Sequence, residues 1–145
     1  MGIITHQRGS YVISTDPERL DLDVIHHFLS EVSYWAAGRP RTTMETAIKN
    51  SLCFGVYDGE KQVGFARVVT DGATFAWLCD LFILHDYRGC GLGKWLVECI
   101  VAHPDLRNLK LFLLATADAH ELYRQYGDFL PLQETQKWML RKKIG

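Results

Sequence analysis

A glycine-rich segment, Asp86–Lys94, is the feature that most constrains the fold of this chain. The apolar run before it, Trp77–Leu84, predicts a buried strand, and the apolar periodicity from Leu92 to His103 predicts a helix. When a strand is followed by a glycine-rich turn and then by the first turn of a helix, backbone N–H groups point toward a site where an anion can bind. Because a turn without side chains lets a pyrophosphate approach the main chain, the segment predicts a site for a phosphorylated cofactor.

The size and charge of the chain limit the classes of function open to it. Its 145 residues predict a single domain, residues 1–145, and a hydrophobic content of 48% is ordinary for a globular protein. The formal net charge of −1 gives no electrostatic footprint for nucleic acid or an acidic membrane surface. We therefore expect neither nucleic acid nor a membrane as a partner.

The cysteines and the N-terminal residues predict the compartment. The four cysteines form no CxxC pair, so neither a disulfide framework nor a metal site is expected. The first residues lack the charged-then-apolar build of a signal peptide, and no apolar run approaches the length of a membrane span. These features predict a cytoplasmic protein.

Hydrophobic periodicity and turn signals predict an α/β (α+β) fold with a mixed sheet of six to seven strands and helices on both faces. Strands are predicted at residues 11–14, 52–57, 62–70, 74–84, 109–115 and 137–141. Helices are predicted from Leu22 to Trp35, over 44–50 after a Thr42–Glu45 capping box, and over 92–103. A last helix is predicted to open at a second capping box, Asp118–Glu121, and to continue through Tyr126 with Gly127 as the stop. Within the strand 62–70, the residues Val63, Phe65, Arg67 and Val69 are expected on one face.

Two familiar phosphate-binding patterns do not fit the glycine segment. The Walker A pattern requires Ser or Thr after Gly-Lys, whereas Trp95 follows Gly93 and Lys94 here. The dinucleotide pattern GxGxxG belongs to a parallel βαβ unit. The glycines here give GxGxG instead, and the preceding strands are predicted as hairpins.

The segment Arg88–Gly93 matches the pattern Arg/Gln-x-x-Gly-x-Gly/Ala, which resembles the acyl-CoA loop of the GNAT superfamily of N-acetyltransferases. Asp80–His85 is similar to the strand that enters that loop, and Ala119–Phe129 to the family's later AxxLYxxxGF signature. The order of elements agrees over nearly the whole chain. Two positions depart from the pattern, because Asp118 stands where the family often has Asn and Asp128 is inserted before Phe129. The alternative is that the glycines serve only a tight turn.

The resemblance implies acetyl-CoA as the donor and a binding mode for it. The diphosphate is expected on backbone N–H groups of the loop, contributed by Arg88, Gly89, Cys90, Gly91, Leu92, Gly93 and Lys94. The backbone near Phe82 and Ile83 is expected to pair with the pantetheine arm, and an N–H there to polarise the thioester carbonyl. Two parallel strands, 74–84 and 109–115, are expected to splay apart so that the cofactor enters between them.

The resemblance also implies direct attack on the thioester by a primary amine of a small molecule or peptide, with Tyr123 as the general acid. A tyrosine has a reference pKa of about 10 and holds a proton that the leaving thiolate can take. Without the family motif, Tyr123 would be a half-buried aromatic residue of a helix.

The general base remains open at the level of sequence. Asp80 lies in an otherwise apolar strand, where it either orients or deprotonates the amine or pairs with Arg67 on the neighbouring strand. Glu31 and His120 are further candidates, and a water chain without a dedicated base is another.

Tyr34 and Trp35 are the candidate substrate-facing aromatics, since by resemblance the loop after the first helices borders the acceptor site. Their alternative role is a hydrophobic plug at the end of the first helix. No metal is expected.

Three functions are therefore considered. The first is an N-acetyltransferase, the second a non-catalytic acyl-CoA-binding or regulatory module on the same fold, and the third a nucleotide-binding protein that does not use CoA. A homodimer is plausible by analogy with the fold alone.

Overall fold

The structure of the protein is a computed structural model that describes residues 2–143. Met1, Ile144 and Gly145, which belong to the predicted domain 1–145, lie outside the described residues. The sheet has six strands in the order β1-β2-β3-β4-β5-β6. Their bounds are Thr5–Arg8 (β1), Tyr11–Ser14 (β2), Leu52–Asp58 (β3), Lys61–Thr70 (β4), Phe75–Ile83 (β5) and Leu111–Leu114 (β6).

Helices cover both faces of this sheet, so the predicted α/β fold class is confirmed. The helices are Leu22–His27 (α1), Arg41–Lys49 (α2), Leu92–Ala102 (α3) and His120–Gly127 (α4). One core, centred on Val68, Leu96 and Ile100, lies below α3 and α4. A second core, which includes Ile25 and Phe65, lies below α1 and α2 on the opposite face.

Strands β5 and β6 form the parallel pair on which the site depends. Each earlier pair of neighbours is antiparallel: short hairpin turns join β1–β2, β3–β4 and β4–β5, and the segment that contains α1 and α2 joins β2–β3. In contrast, β5 and β6 are parallel and are joined through the crossover helix α3. Their pairing runs only from Phe75–Leu111 to Leu78–Leu114. β6 then ends while β5 continues to Ile83, which leaves one edge of β5 open beyond Leu78. The predicted splay of the two strands is confirmed.

A β-bulge lies in β5 at the point where the splay begins. Phe65 pairs with Phe82 and Arg67 pairs with Cys79, so Asp80 and the residue after it face a single residue of β4. Asp80 has a φ of +55°, in the left-handed region that Asp tolerates better than most residues. The bulge re-aims this part of β5 beside the open edge.

The first helix differs from the prediction, because it stops being α-helical after His27. Residues Phe28–Val32 form a π-helical turn in which the Ser33 N–H donates to the Phe28 carbonyl at 2.8 Å. The Ser30 and Ser33 hydroxyls donate to the carbonyls four residues earlier, at 2.7 and 2.6 Å. Serine hydroxyls compete for the carbonyls in this way, and the helix ends before Tyr34 and Trp35.

Neither predicted capping box forms. α2 begins at Arg41 after Pro40, and the Glu45 carboxylate pairs with Arg41 instead of capping Thr42. α4 begins after Ala119, whose N–H donates to the Thr116 hydroxyl at 3.1 Å.

The predicted strand 137–141 was wrong. Thr135–Lys137 is a 3-10 turn, and residues 138–143 contain no strand. β-propensity makes a strand only where a neighbouring edge accepts its hydrogen bonds, and Met139 and Leu140 lie almost fully exposed instead. The hairpin strand β1 was missed.

The shared face predicted for Val63 and Phe65 was also wrong. The register between β3 and β4 shifts between Val56 and Tyr57. Val63 packs in the core below α3 and α4, whereas Phe65 packs in the core below α1 and α2.

Candidate functional site

Two adjoining clefts meet where β5 and β6 diverge. We call the first the loop cleft; it lies against the glycine segment and β5 and has a volume of about 690 Å³. The second, the arginine cleft, is lined by Arg39, Arg67, Asp80 and Tyr123 among others and has a volume of about 430 Å³. Six residues line both clefts and form their junction: Tyr34, Trp35, Leu81, Asp118, Ala119 and Leu122.

The glycine segment presents an array of free backbone donors to the loop cleft. Gly89 and Gly91 have φ values of +86° and +84°, which L side chains rarely adopt. Gly91 is the N-cap of α3. Within the described part of the chain, the N–H groups of residues 89–94 have no hydrogen-bond acceptor. These donors, together with the positive end of the α3 dipole, make an anion site at the cleft wall.

Most of the residues predicted to bind the cofactor line this cleft. They are Phe82, Ile83, Arg88, Gly89, Gly91, Leu92, Gly93 and Lys94. Cys90 does not line it; its exposed thiol donates to the Tyr87 carbonyl at 3.1 Å. The Arg88 side chain donates through Nε to the Ile83 carbonyl at 3.2 Å, which ties the loop to the end of β5.

An aromatic stack fixes the position of β5 beside the loop cleft. The Phe82 ring lies face to face with Phe28 of the π-helical turn, with centroids 4.1 Å apart and planes 10° apart. Both rings belong to the core below α1 and α2. Because its side chain is packed in this core, Phe82 anchors β5 to the π-helical turn next to the open edge.

Asp80 is the centre of a buried ionic cluster. Its Oδ2 atom accepts hydrogen bonds from Arg39 Nη1 at 2.7 Å and Arg67 Nε at 2.9 Å, and its Oδ1 atom accepts one from Trp35 Nε1 at 3.0 Å. The Asp80–Arg67 ion pair that the sequence offered as one alternative is therefore present. Burial by itself raises the pKa of Asp80, but the hydrogen bonds and charges of the two arginines outweigh it and hold the pKa below its usual value.

All three residues line the arginine cleft, but the two arginine side chains are partly exposed there, whereas the Asp80 side chain is almost fully buried. The exposed fractions of the side chains are 22% for Arg39, 14% for Arg67 and 1% for Asp80. A ligand in the cleft therefore meets guanidinium groups.

Tyr123 projects from α4 into the arginine cleft. Its side chain is largely buried, and its ring lies edge-on to Phe129 with centroids 6.1 Å apart. Burial, followed by the nearby Tyr34 and Asp118, raises the pKa of Tyr123 to about 12. Among residues 2–143, the Tyr123 hydroxyl makes no hydrogen bond, unlike the hydroxyl of the neighbouring Tyr34.

Tyr34 and Trp35 stand at the junction of the two clefts. Their rings are T-shaped with centroids 5.2 Å apart. The Tyr34 hydroxyl accepts a hydrogen bond from the Ala117 N–H at 3.1 Å, which joins the segment after the first helix to the loop after β6. Trp35 is fixed by Asp80. These contacts hold both aromatics across the cleft junction.

Two candidate residues lie away from this arrangement. Glu31 and His120 are exposed and line neither cleft. Sequence reasoning also missed residues that line the arginine cleft, above all Arg39 and Trp77. Arg39 could have been found, because a carboxylate inside an apolar strand requires cationic partners and two arginines follow the predicted aromatics.

No helix between residues 2 and 143 has the length and apolar content to cross a bilayer. Among the same residues, there is no group of three or more His, Cys, Asp or Glu side chains that could hold a metal ion.

Comparisons with known proteins agree with the geometry. A family model described as an acetyltransferase (GNAT) domain matches residues 49–127, which include β3, β4, β5, the glycine segment and α4. A protein of Gibberella zeae assigned as an acetyltransferase is 33% identical over 143 residues, covering 83% of this chain and 80% of that protein.

Solved structures give the same result. A protein of Xanthomonas campestris pv. campestris assigned to the GNAT family is 46% identical, with a TM-score of 0.88 and coverage of 92% of this chain and 93% of that one. A Clostridium acetobutylicum protein, assigned as an acetyltransferase and solved with acetyl-CoA, shares the fold at 12% identity. Its TM-score is 0.65, with coverage of 91% of this chain and 94% of that one.

Proposed function

Because the chain belongs to the GNAT family of acetyltransferases, we propose that it transfers the acetyl group of acetyl-CoA to a primary amine of a small molecule or peptide. The observation that carries this proposal is the junction of the two clefts. Free N–H donors for a diphosphate line one cleft, and a protonated phenol lines the other. A thioester at the junction would lie between them.

The loop cleft is proposed as the donor site. The diphosphate would accept hydrogen bonds from the N–H groups of residues 89–94. The open edge of β5 beyond Leu78, which includes Phe82 and Ile83, would pair with the amide groups of pantetheine. A backbone N–H of this edge would stabilise the negative charge that develops on the thioester oxygen.

The proposed reaction is direct attack. The lone pair of the amine nitrogen forms a bond to the thioester carbon, the C–S bond breaks, and the leaving thiolate takes the phenol proton of Tyr123. The nitrogen loses its extra proton to water, and Tyr123 regains its proton from solvent. A phenol whose pKa is raised to about 12 stays protonated throughout the physiological range.

Asp80 is proposed as a positioning residue instead of the general base. Both of its carboxylate oxygens already accept hydrogen bonds from Trp35, Arg39 and Arg67. The lowered pKa also makes this carboxylate a weak base. We therefore propose that it holds one aromatic and two cationic side chains in place beside the acceptor.

The test is thiol release from acetyl-CoA across a panel of primary amines. Turnover with at least one amine, together with its acetylated product by mass spectrometry, supports the enzyme. Acetyl-CoA binding without turnover on any amine would favour the non-catalytic acyl-CoA-binding module instead.

A thermal-shift comparison separates the donor site from a nucleotide site. Acetyl-CoA is expected to raise the melting temperature, and ATP and NAD are expected neither to match that shift nor to compete with it. Equal shifts that compete with each other would support nucleotide binding.

A further inference from the structure

We propose that the acceptor amine also carries a carboxylate, which Arg39 and Arg67 bind in the arginine cleft. This inference rests on the proposed acetyl transfer and names the class of its substrate, an amino acid or a close analogue. Four features of the cleft support it: the net charge of the ionic cluster, the unused hydrogen-bond donors of the two arginines, the order of the charges along the cleft, and an apolar wall of suitable size.

The ionic cluster of Arg39, Arg67 and Asp80 has a net charge of +1, and the other carboxylate that lines the cleft, Asp118, lies at the junction. Two guanidinium groups share the single carboxylate of Asp80 through the same oxygen atom, Oδ2. The Asp80 side chain is 1% exposed, while both arginine side chains are partly exposed. A partly desolvated cation attracts an anion more strongly than a cation in water does.

The arginines also retain hydrogen-bond donors. Within the described residues, Arg39 uses only Nη1, and Arg67 uses Nε toward Asp80 and Nη1 toward the Ser51 hydroxyl. Nε and Nη2 of Arg39 and Nη2 of Arg67 therefore remain for a ligand. The planar donor fork of a guanidinium matches the two oxygens of a carboxylate.

The charges are arranged with a direction along the cleft. Asp118 lines both clefts and so lies at the junction, whereas Arg39 and Arg67 line only the arginine cleft. An acceptor with an ammonium at one end and a carboxylate at the other fits this order. Its nitrogen would lie near the thioester and its carboxylate deeper in the arginine cleft.

The remaining wall suits a large apolar side chain. Trp77 and Val69 are direct cross-strand partners on β5 and β4, and both line the arginine cleft. Their exposed fractions are 39% and 42%, so they form a continuous apolar platform open to solvent. A cavity of about 430 Å³ accommodates an amino acid with an aromatic or large aliphatic side chain.

The test compares amino acids with the amines that lack only the carboxylate. The pairs are tryptophan with tryptamine, phenylalanine with phenethylamine, and leucine with isoamylamine. Values of kcat/KM are corrected for the fraction of free base at the assay pH. We expect a preference of about 10- to 100-fold for the amino acid in at least one pair, as a charge-assisted hydrogen bond supplies.

Matched arginine variants assign this preference to the cleft. Arg39→Gln is expected to bring the ratio close to one, while Asp80 keeps Arg67 and Trp35 as partners. Arg41→Gln is the control, because Arg41 pairs with Asp23 and Glu45 outside both clefts, and it is expected to keep the ratio. Melting temperatures of both variants check that they fold. Equal rates within every pair, or an unchanged ratio in folded Arg39→Gln, would overturn the inference.

A binding measurement separates the inference from the proposed function. Indole-3-propionate has a carboxylate but no amine, so its binding to the CoA-saturated protein does not depend on catalysis. Calorimetry is expected to show at least about tenfold tighter binding than for indole-3-propionamide, with the difference lost in Arg39→Gln. Equal affinities would refute the arginine site, whereas binding without turnover of any amine would refute only the proposed reaction.

Discussion

The indole N–H of Trp35 donates a hydrogen bond to the Asp80 carboxylate at 3.0 Å. The contact joins an aromatic side chain at the cleft junction to the bulge of β5. Because the same carboxylate holds Arg39 and Arg67, one buried acid holds an aromatic and two cationic side chains of the arginine cleft together.

Tyr123→Phe is expected to lower kcat by about 10²- to 10⁴-fold, as loss of a general acid does, with little change in acetyl-CoA affinity. Steady-state kinetics and equilibrium CoA binding measure the two quantities. The matched control is Tyr57→Phe, which removes a hydroxyl buried without a partner among the described residues, in β3 outside both clefts. It is expected to keep full activity and to leave stability unchanged or raised by about 1 kcal/mol. Unchanged kcat in Tyr123→Phe would exclude the proposed acid.

The pH dependence of kcat/KM follows from the raised pKa of Tyr123. The rate is expected to rise with pH as the acceptor amine loses its proton. An acid with a pKa of about 12 remains protonated, so no descending limb is expected below about pH 10. A pH–rate profile with a stable amine checks this prediction. A limb descending near pH 8, with the protein still folded, would point to a different acid.

Gly91→Ala is expected to raise the KM for acetyl-CoA, because the residue has a φ of +84° and its N–H belongs to the donor array. The left-handed conformation costs a residue with a Cβ roughly 1–2 kcal/mol of stability. Gly59→Ala is the control, since it has a φ of +61° in the β3–β4 hairpin with equally open surroundings. Both variants should lose similar stability in chemical denaturation, but only Gly91→Ala should bind acetyl-CoA less tightly. An equal effect on KM in both would mean that the loop is sensitive to stability alone.

Asp80→Asn is expected to lower stability by about 2 kcal/mol at neutral pH, because two arginines lose a charged acceptor. The pKa of Asp80 is lowered on folding, so its stabilisation is present above its unfolded value of 3.8 and lost as the pH falls through the folded value. Urea denaturation at pH 7 and at about pH 3 should therefore show a smaller difference between wild type and variant in acid. The ascending limb of the pH–rate profile should remain, with a raised KM for the acceptor. If the ascending limb disappears in Asp80→Asn, the limb reports the ionisation of Asp80 and not that of the acceptor amine, and Asp80 is the general base.

Local sequence patterns predicted most of the strands and helices. They failed where the conformation depends on contacts between residues that are far apart in the sequence. The strands 52–57, 62–70 and 74–84 were predicted within one residue of their observed ends, since alternation and turn residues report local conformation. The strand at 137–141 had suitable composition but forms no ladder within the described chain. The bulge at Asp80 depends on the register against β4, which no local signal reveals.

The array of free N–H groups in the glycine segment follows from the amino-acid sequence without any tertiary contact. The glycines of Asp86–Lys94 and the adjoining strand and helix are consecutive in the chain, so backbone chemistry alone places the free N–H groups together. The arginine cleft, in contrast, is formed by residues that are far apart in the sequence. Arg39 and Asp80 are 41 positions apart, and Tyr34 and Ala117 are 83 apart. Such contacts depend on how sheet, bulge and π-helical turn pack, and periodicity does not encode which distant side chains meet.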